Sequence, residues 1–475
     1  MTSRTRNSVA FAFLFLASFI AFWLWWNRPR KVDMAEYAPA DALIFLEAND
    51  LPDIVAGLAS TTAWQELAPA AGLRADTGSY LKLSRLAAWT GIGPSELVLF
   101  ARAQAAAVVF GFDAAEEPGS SLRIRPQAAF IFETHSREGR AIAATEKLVG
   151  DLARRIFAAP RFGKRQDVAG AHIFTWGSAD GSRQIVAAVM EGVVILGNEE
   201  AAVQRCLAVK RGEQASLAED QQLVTMRERV VRAGALSFGY VSPAGARKLL
   251  EVAALAYAGQ LSTNPSAQSA FAVLLPQLAE RLLGSAAWSS RLVDGAVEDR
   301  YFLTGRGGLP ERLRSPLVPF RETLTGAPNL LPAGLYQLTS YNFREPDAAW
   351  RALNQALSTQ LDITLAPAGV RYLDEWLRPF GIESPREFFQ TVGPGLYTAR
   401  LDPAGEGLVF TAPVRDEAAL RAQLLAVLGR RPRAERIGVH EMLFSGAEDG
   451  MAAGFVSGHV IMGAAEDVRQ CLRQV

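Results

Sequence analysis

The sequence GVVILGNEEAAVQRCL, residues 192–207, has a close counterpart near the other end of the chain, GHVIMGAAEDVRQCL, residues 458–472. In both stretches a glycine opens a short apolar run typical of a strand, and a helical pattern that contains a cysteine follows. The glycines, the apolar residues and the cysteines align with a gap of one residue. Two matching stretches in one chain indicate an internal repeat.

Shorter matches precede both stretches, and they keep the same order along the chain. Because the order is preserved, they favour a tandem duplication over chance similarity. The first copy is longer than the second, mainly because of a polar loop around residues 118–126. The matched pairs are Pro39-Ala40 with Pro332-Ala333, Pro52-Asp53 with Pro346-Asp347, Gly91-Ile92 with Gly381-Ile382, Arg137-Glu138 with Arg415-Asp416, Gly170-Ala171-His172 with Gly438-Val439-His440, and Asp180-Gly181 with Asp449-Gly450.

The secondary-structure patterns predict an α+β fold, in which each copy is an antiparallel sheet with helices packed on one face. Glu191-Gly192 and Asp294-Gly295 are hairpin signals between apolar runs. A regular alternation of strands and helices is missing, which argues against a doubly wound parallel sheet. One amphipathic helix of the first copy is predicted to pack through a face formed by Ile142, Thr145, Leu148, Leu152 and Ile156.

These patterns divide the 475 residues into four segments. Residues 1–31 are predicted to be a short N-terminus and a transmembrane anchor, and residues 32–215 the first α+β copy. Residues 216–328 are predicted to form a middle α+β unit with a linker, and residues 329–475 the second copy. A chain of this length exceeds one ordinary core, which agrees with several domains.

An apolar stretch begins at Val9 and ends at Trp26, and it contains no charged residue and no proline. A helix of this length would cover most of the roughly 30 Å hydrocarbon core of a bilayer. Tryptophans followed by Arg28, Arg30 and Lys31 are typical of the end of a spanning helix. The alternative is a cleaved secretory signal, but no small-residue cleavage site follows the stretch. We therefore expect a single-pass anchor in the lipid bilayer.

Two signals conflict over the orientation of this anchor. Cations flank both of its ends with a slight excess on the C-terminal side, which favours a cytoplasmic body. A short N-terminus ahead of a large C-terminal body is instead the usual signal-anchor arrangement. We favour the second signal, which predicts a body outside the cytoplasm.

The overall charge argues against a nucleic-acid partner. Lysine and arginine together number 49, as do aspartate and glutamate, so the formal net charge is zero. Proteins that bind nucleic acids usually carry an excess of basic residues that meet the phosphates. The two cysteines, Cys206 and Cys471, exclude a disulfide-stapled scaffold and a four-cysteine zinc site.

The chain resembles the bacterial DUF3352 family of uncharacterised membrane-anchored envelope proteins. The resemblance consists of the N-terminal anchor, the strand opening Pro-Ala-x-Ala-Leu at residues 39–43, and Gly170, His172 and Asp180-Gly181 ahead of the Gly-Val-Val-Ile-Leu-Gly strand. It would cover most of the body. It implies a bacterial inner-membrane protein with a periplasmic or extracellular body, and it implies no activity.

No catalytic motif is present in the sequence: a phosphate-binding loop, a Gly-x-Ser-x-Gly elbow and a His-Glu-x-x-His helix are all missing. Gly-Arg-Gly-Gly at residues 305–308 leads into Leu-Pro, so we interpret it as a linker and not as an anion-binding loop. We predict no catalytic, cofactor-binding or metal-binding residue, and no cofactor.

The histidines are His135, His172, His440 and His459. His172 and His440 occupy equivalent places in the two copies, which would suit a shared metal site. Neither has another histidine or a cysteine close in sequence, so a structural role at a strand edge is the favoured interpretation.

Other candidate residues have an ordinary structural interpretation. Cys206 and Cys471 are predicted to be either buried free thiols or a disulfide between the copies, which needs Cα atoms within about 7 Å. The acidic pairs Glu116-Glu117 and Glu199-Glu200 are interpreted as solvated charges or as support for a helix N-terminus. The indoles of Trp350 and Trp376 are interpreted as core packing.

Three hypotheses about function remain open at this point. The first is a non-catalytic, membrane-tethered envelope protein that offers a sheet face, a sheet edge or a groove to a partner. The second is an enzyme that acts on envelope material, such as a hydrolase, with no motif readable from the sequence. The third is a carrier of apolar ligands.

Overall fold

The two repeated apolar runs form central strands of two antiparallel sheets, which confirms the α+β class. This computed structural model divides into the units Met1–Thr304 and Gly305–Val475, with one sheet in each. The residues that the structure describes are 15, 18–19, 22, 30–48, 51–62, 64, 83–84, 87–88, 90, 93–117, 121–157, 161–261, 276–277, 280–306, 309–318, 327–361, 366–402, 407–429, 432–445 and 450–474.

The first unit, Met1–Thr304, contains a ten-stranded sheet. Its strands are β1 Ile44–Ala48, β2 Gln104–Glu117, β3 Ser121–Glu133, β4 Arg161–Val168, β5 Ala171–Gly177, β6 Gln184–Met190, β7 Val193–Gly197, β8 Ala235–Val241, β9 Leu283–Val293 and β10 Ala296–Gly305. Its described helices are α1 Leu51–Ala59, α2 Ser95–Arg102, α3 Glu138–Phe157, α4 Glu200–Lys210, α5 Gln221–Val230 and α6 Pro243–Leu261, with 3-10 turns at Met34–Tyr37 and Leu217–Glu219.

The second unit, Gly305–Val475, contains a seven-stranded sheet. Its strands are β11 Gln337–Tyr341, β12 Leu396–Arg400, β13 Leu408–Pro413, β14 Arg433–Ile437, β15 His440–Phe444, β16 Met451–Val456 and β17 His459–Ala464. Its described helices are α7 Leu309–Arg314, α8 Pro346–Gln360, α9 Ala366–Leu377, α10 Pro385–Thr391, α11 Glu417–Leu428 and α12 Ala465–Leu472, with 3-10 turns at Ala327–Leu330 and Arg378–Phe380.

Seven strands follow the same spatial order in both sheets. The order is β1-β2-β3-β7-β6-β5-β4 in the first unit and β11-β12-β13-β17-β16-β15-β14 in the second. Helices occupy equivalent places along the chain as well: α3 follows β3 and α4 follows β7 in the first unit, and α11 follows β13 and α12 follows β17 in the second. The repeated sequence stretches therefore occupy equivalent places in two sheets of one topology.

The prediction that helices pack on one face of each sheet is wrong, because both faces are covered. In β7, Val193 and Ile195 belong to a core with α4 and α5, whereas Val194 belongs to a core with α3. In β17, Val460 packs in the core with α10 and α11, and Ile461 in the core with α12. An unbroken apolar run is typical of a strand buried on both faces, whereas a strand with one wet face alternates.

The middle strands also differ from the four-segment division of the sequence. Strand β8 pairs with β1, and β9 and β10 extend the same sheet, so the structure joins these strands to the first unit. The physical reason is that β1 has main-chain N–H and C=O groups along both of its edges. The edge away from β2 also needs hydrogen-bond partners when it is buried, and β8 provides them.

Helix α3 packs through a different face from the predicted one. Thr145 is buried and Ile142 packs against the core as expected, but Leu148, Leu152 and Ile156 are 45%, 45% and 47% exposed. The buried face is formed mainly by small residues together with Val149 and Phe157, and its alanines are Ala141, Ala144 and Ala153. Small side chains let the helix backbone approach the sheet closely, which side-chain periodicity alone does not reveal.

Most of the predicted anchor lies outside the described residues. Phe15, Ser18, Phe19 and Phe22 are described, and they are helical and exposed. Within the part of the chain that the structure describes, no helix combines the length and the apolar character needed to cross a bilayer.

Candidate functional site

The segment of residues 30–43, which we call the docked segment, follows the predicted anchor and is held against the rest of the first unit by hydrogen bonds. The main-chain N–H of Val32 donates to Gln104 Oε1 at 2.8 Å, and Gln104 Nε2 donates to the carbonyl oxygen of Val32 at 2.9 Å. The hydroxyl of Tyr37 donates to Glu133 Oε2 at 2.9 Å. Gln104 is 1% exposed, so the segment is bound to a side chain in the interior of the unit.

Two arginines add ion pairs to the same segment. Arg227 donates to Asp33 Oδ2 at 2.7 Å and to Glu47 Oε2 at 3.2 Å, and Glu47 is 7% exposed. Arg205 pairs with Asp41 near the end of the segment. Apolar side chains of the segment join the core as well: Met34, Ala35 and Ala38 are fully buried. The segment is therefore an integral part of the fold.

Glu133, at the end of β3, is the centre of a cluster of titratable groups. Its Oε1 accepts a hydrogen bond from the main-chain N–H of His135 at 2.9 Å, and His135 Nε2 lies 3.1 Å from Gln104 Oε1. Burial, together with the carboxylate of Glu133, raises the pKa of Tyr37, so the phenol stays protonated and keeps donating. Burial lowers the pKa of His135 although Glu133 opposes the shift, so a neutral ring donates from Nε2 to Gln104.

The chemistry of this cluster fits docking better than catalysis. The phenol, the carboxylate and the imidazole make hydrogen bonds to one another or to Gln104, and all of them belong to the attachment of the docked segment. A general acid or base must lie within hydrogen-bond reach of a substrate. The cleft described next is lined by other residues.

A cleft of about 650 Å³ lies in the first unit beside the C-terminal end of α3 and the start of α4. Arg125 and Arg183 line it together with Glu199 and Glu200, so positive and negative side chains balance. A carrier of apolar ligands would need an apolar lining. The cleft therefore lends no support to the third hypothesis.

The histidines are not gathered into a metal centre. His172 on β5 contacts Asp167 Oδ1 through Nδ1 at 2.5 Å across the β4–β5 hairpin, and His459 Nδ1 lies 3.0 Å from the carbonyl oxygen of Ser457. His440 lies on β15, at the place equivalent to His172. Across the described ranges, no group of three or more histidine, cysteine, aspartate or glutamate side chains is arranged to hold a metal ion.

The cysteines are free thiols, which decides between the two interpretations of the sequence. Cys206 and Cys471 are both 0% exposed, and each lies in the core of its own unit. Burial raises the pKa of each thiol to about 12, so neither forms a reactive thiolate near neutral pH.

We expect iodoacetamide at pH 8 to leave the native chain unmodified, because the thiolate is the reactive form and both sulfurs are inaccessible. After unfolding in guanidinium chloride without reductant, both Cys206 and Cys471 should be alkylated. Intact-mass spectrometry of the two samples measures this difference. Modification of the native chain, or an unfolded chain that takes up no label, would contradict the assignment.

The remaining sequence candidates have ordinary surroundings. Gly305 ends β10, and residues 307–308 lie outside the described residues. Glu116 and Glu117 lie in β2, and β3 begins at Ser121, so most of the loop expected around residues 118–126 is strand. Glu199 and Glu200 flank the start of α4 as expected. The ring of Trp350 packs 5.3 Å from that of Phe389, as predicted for core. Trp376 lies in α9, and its side chain is outside the described part of the structure.

Among the described residues, an unusual surface is the edge of β11 that faces away from β12, which we call the β11 edge. Among the described residues β11 pairs with β12 alone. Its sequence QLTSY has no charge, and Leu338 and Tyr341 are 40% and 38% exposed. Edge strands present main-chain N–H and C=O groups to any other strand, and proteins usually protect them with charges or proline. The β11 edge has neither protection.

The other edge strands of the two sheets are charged. Strand β4 reads RFGKRQDV, β10 reads AVEDRYFLTG and β14 reads RAERI. Charged side chains on an edge oppose pairing with a further strand. The β11 edge therefore differs from the other three in the property that controls strand addition.

Strand β1 shows what covers the equivalent edge in the first unit. Strand β8 runs antiparallel along β1, and Phe45 is 0% exposed. Leu338 has the corresponding place in β11, yet it is 40% exposed. Sequence reasoning missed this difference in exposure, because the neighbour of a strand in a sheet can come from a distant part of the chain. The one available signal was the lack of charge in residues 337–341.

Comparison with known protein families, with curated proteins and with solved structures finds no match to this chain.

Proposed function

We propose that this chain is a membrane-tethered, extracytoplasmic protein of the bacterial envelope, whose α+β body is a non-catalytic binding or scaffold module. The observation that carries the proposal is the attachment of the docked segment to the rest of the first unit. Residues 27–31 alone separate the apolar stretch from Val32, and Val32 is already bound to Gln104 inside the unit. Five extended residues reach at most roughly 17 Å.

A body attached in this way stays close to the bilayer, because the residues between the apolar stretch and Val32 have a short reach. A long flexible linker would let the body sample a larger volume. A short linkage instead keeps a binding surface near the membrane. The docking contacts thus support a module that positions a partner next to the membrane.

We infer that a tandem duplication produced the body. The shared order of seven strands and the ordered sequence matches support this inference. A duplication gives two sheets with the same strand order, and the edge strands of the two sheets can then diverge. In the first unit β8 to β10 cover one edge, whereas the second unit leaves the equivalent β11 edge without a strand among the described residues.

Membership of the DUF3352 family and a periplasmic or extracellular body are parts of this proposal. The alternative, a hydrolase acting on envelope material, has no specific observation in its favour, because the Glu133 cluster is engaged in docking and the cleft is lined by opposing charges.

The test compares the full chain with a variant in which residues 9–26 are replaced by a cleavable secretory signal. We expect the full chain to resist carbonate extraction from membranes, and its body to be digested by protease added to spheroplasts. The variant should appear in the soluble periplasmic fraction. Both forms should crosslink to the same envelope proteins, because the body carries the binding surface.

Three results would contradict the proposal. A full chain that is extracted by carbonate has no membrane anchor, and a body protected in intact spheroplasts lies in the cytoplasm. If neither form crosslinks to a specific envelope protein, the binding role is lost and hydrolase assays become the next experiment.

A further inference from the structure

We propose that the β11 edge binds an extended, uncharged segment of a partner protein as an added antiparallel strand. The inference rests on the proposed function for the existence of a partner, and it names the surface and the chemistry of the segment. Strand addition uses the main chain for affinity and alternate side chains for specificity.

The first unit supplies the template, since β8 covers β1 in this way. Its register places Tyr240 opposite Phe45 and Phe238 opposite Glu47. Both aromatic side chains are nearly fully buried, at 1% and 2% exposure, and they face the core that contains Phe45. Strand β8 reads ALSFGYV and has no charge. The equivalent edge therefore takes an uncharged strand with apolar or aromatic side chains at alternate positions.

The β11 edge offers matching surfaces. Leu338 lies opposite Ala399, which belongs to the core that contains Leu330 and Leu331, so a strand added there could extend this core. Tyr336, just before the strand, is 62% exposed and gives a further aromatic surface. The occupant needs about five extended residues without proline or charge, with apolar or aromatic side chains on the Leu338 face.

A second copy of this chain is a weaker occupant than a partner segment. Thr339 is the middle residue of β11, so two antiparallel copies that overlap along all of the strand pair around Thr339. This register would place each Leu338 opposite a Ser340. The apolar surface of Leu338 would then face a small polar side chain, whereas β8 sets Tyr240 against Phe45. Side chains directly opposite one another on paired strands contribute most to the pairing, so the template favours an aromatic partner.

The experiment uses the full chain in lipid nanodiscs and a fluorescent peptide as the probe. The peptide carries ALSFGYV, residues 235–241, between lysines that keep it soluble. A control peptide has prolines at its third and fifth positions, because proline removes the N–H that strand pairing needs. Fluorescence anisotropy measures binding to the wild type, to Leu338→Lys and to Ser340→Lys. The matched control is Val439→Lys, since Val439 is 78% exposed in the turn between β14 and β15.

We expect the ALSFGYV peptide to bind the wild type and Val439→Lys equally, and the proline peptide to bind neither. Leu338→Lys and Ser340→Lys should weaken binding about tenfold or more, which corresponds to the loss of two or three cross-strand pairs. Both positions are exposed, so circular dichroism and thermal midpoints should match the wild type.

Three results would overturn the proposal. The peptide binds no form, it binds Leu338→Lys as tightly as the wild type, or the chain forms dimers that Leu338→Lys separates, in which case the occupant is a second copy. Incorporation into nanodiscs is scored separately and reports on the membrane anchor. A chain that incorporates but does not bind the peptide therefore refutes the strand addition and leaves the tether standing.

Discussion

Replacement of Phe45 by alanine should lower the free energy of unfolding of the first unit by about 3 to 5 kcal/mol, the range usual for a buried phenylalanine. Phe45 is 0% exposed, with β2 on one side of its strand and β8 on the other. Its loss leaves a cavity in the core and removes the surface on which Tyr240 packs. The effect is large because close-packed side chains do not collapse fully into such a cavity.

The matched control is Leu338→Ala, at the equivalent place of the second unit. Leu338 is 40% exposed, so its truncation should cost the second unit less than about 1 kcal/mol. Hydrogen exchange followed by peptide mass spectrometry reads each unit separately in the same denaturant series. Equal losses at the two positions would show that Leu338 is as well covered as Phe45, and the β11 edge would not be open.

Replacement of Arg227 by alanine should lower the free energy of unfolding of the first unit by about 2 to 4 kcal/mol. Arg227 pairs with Asp33 and Glu47, and Glu47 is 7% exposed. Removing the guanidinium takes a positive charge from a carboxylate that water reaches poorly. The guanidinium also lies 5.0 Å from the centre of the Phe238 ring, so its packing there is lost as well.

The control for this change is Arg205→Ala. Arg205 also pairs with an aspartate of the docked segment and also lies over an aromatic ring, 4.3 Å from the centre of Phe110. Its partner Asp41 is 64% exposed, so water replaces the lost contact and the cost should stay within about 1 kcal/mol. Limited proteolysis gives a second readout, because only Arg227→Ala should speed cleavage within residues 30–43. Similar proteolysis of both variants would mean that Asp33 and Glu47 do not hold the segment.

Several features could be predicted from local sequence pattern. The mixed α+β class and the hairpins at Glu191-Gly192 and Asp294-Gly295 are examples. Glu191 and Gly192 have φ values of 51° and 85°, the left-handed backbone that a two-residue hairpin turn requires. The buried free state of Cys206 and Cys471 was one of two interpretations that the apolar helix faces allowed. Each of these depends on a few neighbouring residues, whose spacing is visible in the sequence.

Tertiary structure decided the features that matter most for the proposals. Val32 and Gln104 are 72 positions apart, and Asp33 and Arg227 are 194 apart, so no local pattern connects them. The same holds for the coverage of β1 by β8 and for the lack of such coverage on β11 in the described residues.

The sequence by itself determined the mixed α+β class, many of the strands and helices and the hairpin turns, because periodicity and turn chemistry act over a few residues. The three-dimensional fold decided which strand edge stays open, which face of α3 is buried and how the docked segment is held. The physical reason is that burial and strand pairing depend on which distant segments meet, and that choice is made by packing of the whole unit.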